Sequence, residues 1–368
     1  MSVRPALFGA IPGRRVPVFV DDGLLDRLPD VLASVHAHRV CEVVTDRNVD
    51  ALLGRRVMAA LRKGKWRAHK TVLPAGEQIK SARTIRSLHE AWFEQKLDRY
   101  TVIVVVGGGT VGDAVGYAAA TFLRGLPLWQ VPTTIIGQVD SAIGGKVGIN
   151  HKRGKNLIGA FYQPAGIIID PQVLESLPPR ERRSGLGEVV KYGVIADAGL
   201  FRQCERSVNE WISGAESVPT STLQRCARIK LKMVAADETD RGLRHHLNFG
   251  HTLGHALERW GGYRRFKHGE AVAMGMVAAA WMAYKRGDLT ESEFKRLEEV
   301  CRSLYPRLST LPDRNSDVTQ HLHSDKKRMA GTLRWVLPHG LGRVRVVEDV
   351  TPREINGALR YALTLSRR

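Results

Sequence analysis

The sequence predicts an α/β domain built on a parallel sheet over residues 1–178, followed by a mainly α-helical domain over 179–368. Three observations carry that expectation. Short β-branched runs alternate with amphipathic helical patterns through the first half, the rhythm of a parallel sheet covered by helices. A glycine-rich turn follows the most apolar of those runs. Beyond residue 180 the strand signal fades and apolar residues recur at helical spacing.

Arg39–Thr45 (RVCEVVT) is rich in β-branched residues and predicts a strand, and Asn48–Lys63 behind it has helical periodicity. Thr101–Val106 (TVIVVV) is apolar without interruption, as a strand buried on both faces requires. It runs into Gly107-Gly108-Gly109, and a helical pattern opens near Asp113. Leu126–Val131 and Gly166–Ile169 predict two further strands. Leu177-Pro178-Pro179 marks the domain boundary, because proline lacks the N–H that a helix interior needs. Helical spacing then continues through 184–213, 218–236, 247–260, 268–286 and 291–304. Two short strands, Leu333–Leu337 and Arg343–Val347, and a last helix, Pro352–Leu363, complete the chain.

Composition narrows the function classes. Of 368 residues, 43% are hydrophobic and 25% charged, which excludes a disordered, collagen-like or disulfide-scaffold chain. The 56 Lys and Arg against 37 Asp and Glu leave a net charge of +19, which draws anions such as nucleic acid, acidic lipid or a phosphorylated metabolite. These cations are dispersed, and the plain reading is a solvated basic surface. Cys41, Cys204, Cys226 and Cys301 form no CxxC and no close pair, which argues against disulfides or a Cys-ligated zinc and fits a reducing cytoplasm. The N-terminus has no sustained apolar core behind its first charge, unlike a secretory signal. The longest apolar stretch, Ala271–Tyr284, has 14 residues where a bilayer span needs about 20, so it predicts a buried helix and no membrane partner.

Gly107–Gly112 (GGGTVG) satisfies GxGxxG in the strand–turn–helix setting that gives the pattern meaning. Glycines there admit a pyrophosphate to the backbone, and the helix N-terminus supplies N–H donors. A bare glycine-rich turn is the competing reading. No acidic residue stands about 20 positions downstream to take a ribose; Asp113 is too close and Asp140 too far. Asp46, after the earlier strand, could serve, which points to a Rossmann-like variant. Pro132–Pro164 concentrates Thr, Ser, Asn, Gly and Lys, poor for packing and suited to gripping an anion. Lys146 and Lys155 offer point charges, Asn156 a directional donor, and Gly144-Gly145 close backbone approach.

Five of the 13 histidines, at 245, 246, 251, 255 and 268, lie between Arg244 and Gly269. His251 and His255 are i, i+4 on a predicted helix and share a face, a common way to present two imidazoles to one metal. Glu188, Glu258 or Glu270 could complete the site, and the pattern leaves open which three ligands bind. Lys191, Lys230, Arg244 and Asn248 fall in the same region. A divalent metal ringed by cations needs an anion between them, such as a substrate carrying carboxylate or phosphate. The residues therefore point to a nucleotide cofactor, a divalent metal and a small anionic substrate, in a pocket between the two domains.

Those residues also carry a resemblance. From about Val44 to Gly342 the sequence resembles 3-dehydroquinate synthase, a family of sugar phosphate cyclases. The matching stretches are TDRNV at 45–49, PAGEQIKS at 74–81, GGGTVGD at 107–113 and the PTT…QP segment. They continue with GLGEVVKYG at 185–193, DETDRGLRHHLNFGHTLGHALE at 237–258, HGEAVAMGM at 268–276 and DKK at 325–327. The resemblance implies a Rossmann-like N-terminal domain, an α-helical C-terminal domain, a cytoplasmic homodimer, tightly held NAD, and a divalent metal, zinc or cobalt. The implied metal ligands are Glu188, His251 and His268, with His255 a substrate or acid–base contact instead. Implied NAD contacts are Asp46, Asn48, Glu77, Lys80, Gly109, Thr110, Val111, Gly112 and Asp113. Thr133, Thr134, Lys146, Lys155 and the turn around Val173–Ser176 join them. Implied substrate contacts are Asp140, Lys146, Asn156, Lys191, Lys230, Arg244, Asn248, His255 and Lys327. Arg124 resembles a phosphate-binding arginine that reaches across the dimer in relatives.

The implied activity is that of a carbon–oxygen lyase of aromatic amino acid biosynthesis, the shikimate pathway. It converts 3-deoxy-D-arabino-heptulosonate 7-phosphate to 3-dehydroquinate and phosphate by transient oxidation, elimination, reduction and aldol closure. Departures from the family pattern are Ala142 for a usual Ser, Val147 for a frequent Thr, Gly187 for a common Ala, and Lys152-Arg153 for Pro-Leu. None removes an implied catalytic group. The nearest rival is a cyclase of sedoheptulose 7-phosphate or glucose 6-phosphate, but Lys230, Arg244 and Asn248 suit a substrate carboxylate that those sugars lack. A metal-dependent polyol dehydrogenase would release NADH, and a nucleic-acid-binding protein would show strongly salt-dependent retention of DNA.

Overall fold

A computed structural model describes residues 3–11, 14–240, 242–305, 312, 315–328 and 333–366, the side chains of 10, 11 and 323–328 excepted. β1 (Leu7–Ile11), β2 (Arg14–Val20), β3 (Val40–Asp46), β4 (Arg67–Leu73), β5 (Val102–Gly107), β6 (Leu128–Pro132) and β9 (Gly166–Ile169) form a seven-stranded sheet in the order β1-β2-β9-β6-β5-β3-β4. β1 is antiparallel to β2, and the other pairings are parallel. Such a sheet must be covered on both faces, and the side chains divide accordingly. Val43 and Val104 join Phe19 and Trp129 in one core cluster, while Val44, Ile103 and Val105 join Trp92 in another. The helices α1 (Leu28–Ala33), α3 (Arg55–Lys63), α4 (Ala82–Glu94) and α5 (Gly109–Thr121) supply the cover. A short turn, α2 (Arg47–Val49), runs through a π-helical stretch at 50–54 into α3.

The chain leaves β3 towards β4 on one side and β5 towards β6 on the other. Strand order therefore reverses between β3 and β5, where the carboxyl ends of the strands open a crevice for a ligand. Asp46 ends β3 and Gly107 ends β5. In β3, fully buried Glu42 lies in register with Ile103 and His69. Its Oε1 accepts a hydrogen bond from Thr71 at 2.5 Å, and burial pushes the carboxyl up to about 7.

The predicted strands at β3, β5, β6 and β9 are present, and α5 opens at Gly109, ahead of the expected Asp113. β1, β2 and β4 were not foreseen. The anion-rich stretch 132–164 holds a π-helical turn, Gly137–Ser141, and a hairpin of β7 (Lys146–His151) with β8 (Gly154–Phe161).

The remaining elements are α6 (Pro179–Ala196), α7 (Ala198–Ser213), α8 (Thr220–Ala236), α9 (His251–Trp260), α10 (His268–Lys285), α11 (Glu291–Ser303), α12 (Asn315–Arg328), the antiparallel pair β10 (Trp335–Pro338) and β11 (Val344–Val347), and α13 (Pro352–Leu365). The periodic stretch 184–213 is broken at Asp197, whose carboxylate caps α7 by accepting from the N–H groups of Gly199 and Leu200 at 3.1 Å. Among the described residues no helix is long and apolar enough to cross a membrane. The four cysteines are buried, and none is in a disulfide.

The chain divides into two compact units, residues 1–177 with 217–239, and residues 178–216 with 240–368. The first break coincides with the expected boundary at 178, and within this division α8 groups with the sheet. Leu231 of α8 lies against Gly9 of β1, where a Cβ would come within 3.0 Å of it. Gln224 of α8 donates to the Val20 carbonyl of β2 at 3.4 Å. Helical periodicity identifies a helix and its apolar face but not the element that the face covers.

Candidate active site

Three helices of the second unit converge on Glu188. It is completely buried on α6 and its Oε1 faces two imidazoles, His268 Nε2 at 3.2 Å and His251 Nε2 at 3.5 Å. Lys191, one turn on and also buried, ion-pairs with the other oxygen. The helices meet backbone to backbone, which only glycine permits here. A Cβ on Gly269 of α10 would lie 1.7 Å from the Ser184 carbonyl of α6, and one on Gly187 would lie 2.8 Å from the Gly269 carbonyl.

His251 Nδ1 lies 3.1 Å from the Phe249 carbonyl, which can only accept, so Nδ1 carries the proton and Nε2 presents its lone pair. Burial, reinforced by Lys191, pushes His251 down to about 3, which keeps the ring neutral. Burial opposes charge on His268 too, but hydrogen bonds to Glu188 and Glu258 outweigh it and raise the ring to about 10. Burial also disfavours the charge on Glu188, yet Lys191 and the imidazoles hold it well below the ordinary value. A carboxylate and two imidazole nitrogens around one point are a zinc-type donor set, three of the four donors that zinc takes. Glu188, His251 and His268 have ligand atoms within 4.8 Å of one another, and so do His255, Glu258 and His268.

The carboxylate left open by spacing is thus narrowed. Glu270 is committed elsewhere: Arg180 grips both its oxygens at 2.9 and 3.0 Å, and the Lys267 N–H donates to it at 2.8 Å. The i, i+4 partner His255 is exposed, its ring centroid 5.4 Å from that of His251. Arg244 is buried on the 3₁₀ turn Leu243–Asn248, and Asn248 Nδ2 lies 3.4 Å from His245 Nδ1. Lys327 lies on α12, its side chain outside the described residues.

The first unit gathers a second constellation. Asp46 caps the turn after β3, its Oδ1 accepting from the N–H groups of Asn48 at 2.8 Å and Val49 at 3.2 Å. Across the switch point the glycine turn is tight: a Cβ on Gly109 would lie 2.7 Å from Ser141 Oγ, and one on Gly112 would lie 3.0 Å from Gln130 Oε1. Gly107 and Thr133 join the two strand ends, Thr133 N–H donating to the Gly107 carbonyl at 3.0 Å, while Thr134 Oγ1 accepts from Gly137 N–H at 3.0 Å. Glu77 accepts from Asn150 at 2.8 Å and Thr110 at 3.3 Å, with Lys155 at 3.9 Å.

Lys80 is buried, donating to Asp113 at 2.6 Å and to Asn156 Oδ1, so a residue from before β5 ties α5 to the hairpin. Burial raises the Asp113 carboxyl above its usual value, with Lys80 pulling the other way. Asn156 holds a left-handed φ of 54°, a strained geometry of the kind that clusters at functional sites. Lys230 of α8 donates to Asp140 Oδ1 at 2.6 Å. Lys146 opens β7 and is exposed.

Two expected cofactor contacts are restricted. Val111 and Val173 are buried in the two core clusters, so only their backbones remain for a ligand. Ser176 donates to the Val173 carbonyl at 3.4 Å. Arg124 stands exposed, at a left-handed φ of 67°, on the turn after α5. Sequence reasoning missed Arg180, Ser184 and Gln163. Ser184 Oγ accepts from the Gly269 N–H at 3.1 Å beside His268, and Gln163 donates to Glu238 at 3.0 Å. Their partners lie more than 70 positions away, beyond any local pattern.

Residues 70–184 match the family described as 3-dehydroquinate synthase N-terminal, and residues 185–328 the one described as 3-dehydroquinate synthase C-terminal. The chain is 38% identical to the 3-dehydroquinate synthase of Desulforamulus reducens, over 94% of this chain and 97% of the relative. It is 43% identical to that of Symbiobacterium thermophilum, over 96% and 98%. Among solved structures it is similar to 2-epi-5-epi-valiolone synthase from Streptomyces hygroscopicus subsp. jinggangensis 5008, solved with NAD+ and Zn2+ bound. That likeness has a TM-score of 0.86 at 30% identity, covering 95% of this chain and 97% of the other.

Proposed function

We propose, for a chain that belongs to the 3-dehydroquinate synthase family, that it converts 3-deoxy-D-arabino-heptulosonate 7-phosphate to 3-dehydroquinate and phosphate. It is a lyase that uses NAD and a divalent metal, zinc or cobalt. The observation that carries this reading is the buried Glu188 facing His251 and His268. These three residues hold the metal; Asp46, Lys80, the glycine turn and Asp113 belong to the NAD-binding set. When bound, the nicotinamide would supply hydride acceptor and donor chemistry, and the metal would supply Lewis acidity toward substrate oxygen.

The chain's own groups then have defined work. His251 is kept neutral by burial and by its bond to Phe249, so it binds as a ligand without first losing a proton. Lys191 and Arg244, both buried, offer fixed positive charge to an anionic substrate without reorganising. Arg244 and Asn248 suit the substrate carboxylate, and Lys146 and Asn156 its phosphate. Lys230 is oriented by Asp140. Exposed His255 can exchange a proton with solvent, as an acid–base group needs. The net reaction breaks the C–O bond to phosphate and forms one C–C bond in the ring. The proposal extends to a cytoplasmic homodimer in which Arg124, exposed on its turn, reaches the partner's substrate phosphate.

The test is phosphate release from the heptulosonate phosphate, with and without chelator, while absorbance is followed for NADH. Metal-dependent release without NADH accumulation, and 3-dehydroquinate as product, is the expected result. No release from this substrate, but release from sedoheptulose 7-phosphate or glucose 6-phosphate, would replace the substrate assignment. Accumulating NADH would indicate a dehydrogenase.

A further inference from the structure

Resting on the metal-centre reading above, we propose that Glu258 is a positioning residue for the metal: it holds the His268 ring so that Nε2 alone is offered to the ion. The two ring nitrogens of His268 face two different carboxylates. Nε2 lies 3.2 Å from Glu188 Oε1, and Nδ1 lies 3.5 Å from Glu258 Oε2. An imidazole that binds a cation through one nitrogen keeps its remaining proton on the other, and that proton needs an acceptor. A carboxylate in this place fixes the tautomer and the ring plane and makes the ligating nitrogen a stronger donor. Glu258 is suited to the task because it is nearly buried and sits in the last turn of a regular helix rather than on a loop.

The two histidine ligands are therefore backed differently. His251 donates to a neutral carbonyl, that of Phe249, whereas His268 faces an anion. Both backings are set by α9 and the turn before it: His251 opens that helix and Glu258 lies two turns later on it. One helix thus delivers a ligand to one side of the site and the orienting carboxylate to the other. With an ion held at Nε2, the ring proton would sit on Nδ1, directed at Glu258. The competing arrangement, an ion held by His255, Glu258 and His268, would use Nδ1 as the ligand instead.

The experiment measures zinc affinity of the full chain by competition with a chromophoric chelator, for the parent, Glu258→Leu, Glu258→Gln and His251→Ala. Glu258→Leu is expected to weaken zinc about 10- to 100-fold, the usual effect of removing such a partner. Glu258→Gln, which can still accept from Nδ1–H, should restore part of the loss. The cobalt-loaded Leu variant should show an altered visible absorption band, which a change in stability alone would not produce. Unchanged zinc affinity in Glu258→Leu, with His251→Ala impaired, would overturn the proposal and leave the metal centre intact. Zinc lost from Glu258→Leu but kept by His251→Ala would put the ion on the competing set. Affinity indifferent to both would overturn the metal-centre reading itself. Should the Leu variant not fold, ring nitrogen NMR of the zinc-loaded parent decides: a proton on His268 Nδ1 is expected, and a metal-bound Nδ1 refutes the assignment.

Discussion

Glu42→Gln isolates the energetic effect of a buried ionisable group in the cofactor-binding sheet. The side chain is fully buried in β3, is bonded to Thr71, and is raised by burial from 4.5 to about 7. A folded-state value above the unfolded one means that the folded protein holds a proton that the unfolded chain has released. Stability attributable to this group is undiminished below about pH 4.5, falls as pH rises towards 7, and stays low above it. At about 1.4 kcal/mol per pH unit the full effect is about 3 kcal/mol. Glutamine can still accept from Thr71 and has nothing to ionise. Near pH 5 the variant should match the parent to within about 1 kcal/mol, the cost of an amide donor replacing an oxygen. At pH 8 it should gain about 2–3 kcal/mol on the parent, relative to the difference at pH 5. Urea unfolding of both proteins at the two pH values measures this. A difference between them that does not change with pH would show that Glu42 is ionised in the folded state at no cost, and would refute the reasoning.

Glu188→Gln deletes the partner of buried Lys191 and should destabilise the metal-free protein by about 3–5 kcal/mol while abolishing zinc retention, as urea unfolding and metal analysis will show. Gly269→Ala forces a Cβ to within 1.7 Å of the Ser184 carbonyl, so α6 and α10 must part. A displacement of about 1 Å at His268 should lower turnover about 100-fold, read by steady-state phosphate release. Zinc uptake at neutral pH should release about one proton, because His268, held to about 10, must lose the Nε2 proton while His251, at about 3, has none to lose. Zinc affinity therefore rises with pH through the neutral range, and calorimetry in two buffers of different ionisation enthalpy counts the proton. Arg244→Ala should sharply reduce turnover of the carboxylated substrate; an unchanged rate would argue for a sugar phosphate without a carboxylate.

The parts of this molecule that were legible in the sequence are those with strong local signals. Thr101–Val106 is uniformly apolar because β5 is buried on both faces, and the glycines after it mark a turn that a Cβ would block. β4 (RAHKTVL) was missed because an edge strand has one side in solvent and little reason to look apolar. β8 of the hairpin was missed for a related reason: every residue from Asn156 to Phe161 is exposed. At the proposed metal site the spacing of His251 and His255 put them on one helix, as α9 does, but could not tell which faces Glu188. The resemblance named Glu188, His251 and His268, and the geometry gathers those three. Glu270 stayed open as a ligand because its true partner, Arg180, is 90 residues away.

The position of α8 in the chain has a consequence for how the protein is made. The sheet strands are complete by Ile169, yet the helix that lies along β1 and β2 is not synthesised until residues 220–236. At about 5–20 residues per second the ribosome takes several seconds to cover that gap, and during it the outer strands stand without their cover. The nascent sheet is then open to chaperone capture, and a fragment ended at the proline boundary would keep that defect permanently. It would also lack Lys230, the partner of Asp140. Splitting this protein into two expressible halves therefore requires the segment 217–239 to be grafted onto the first, not cut away with the second.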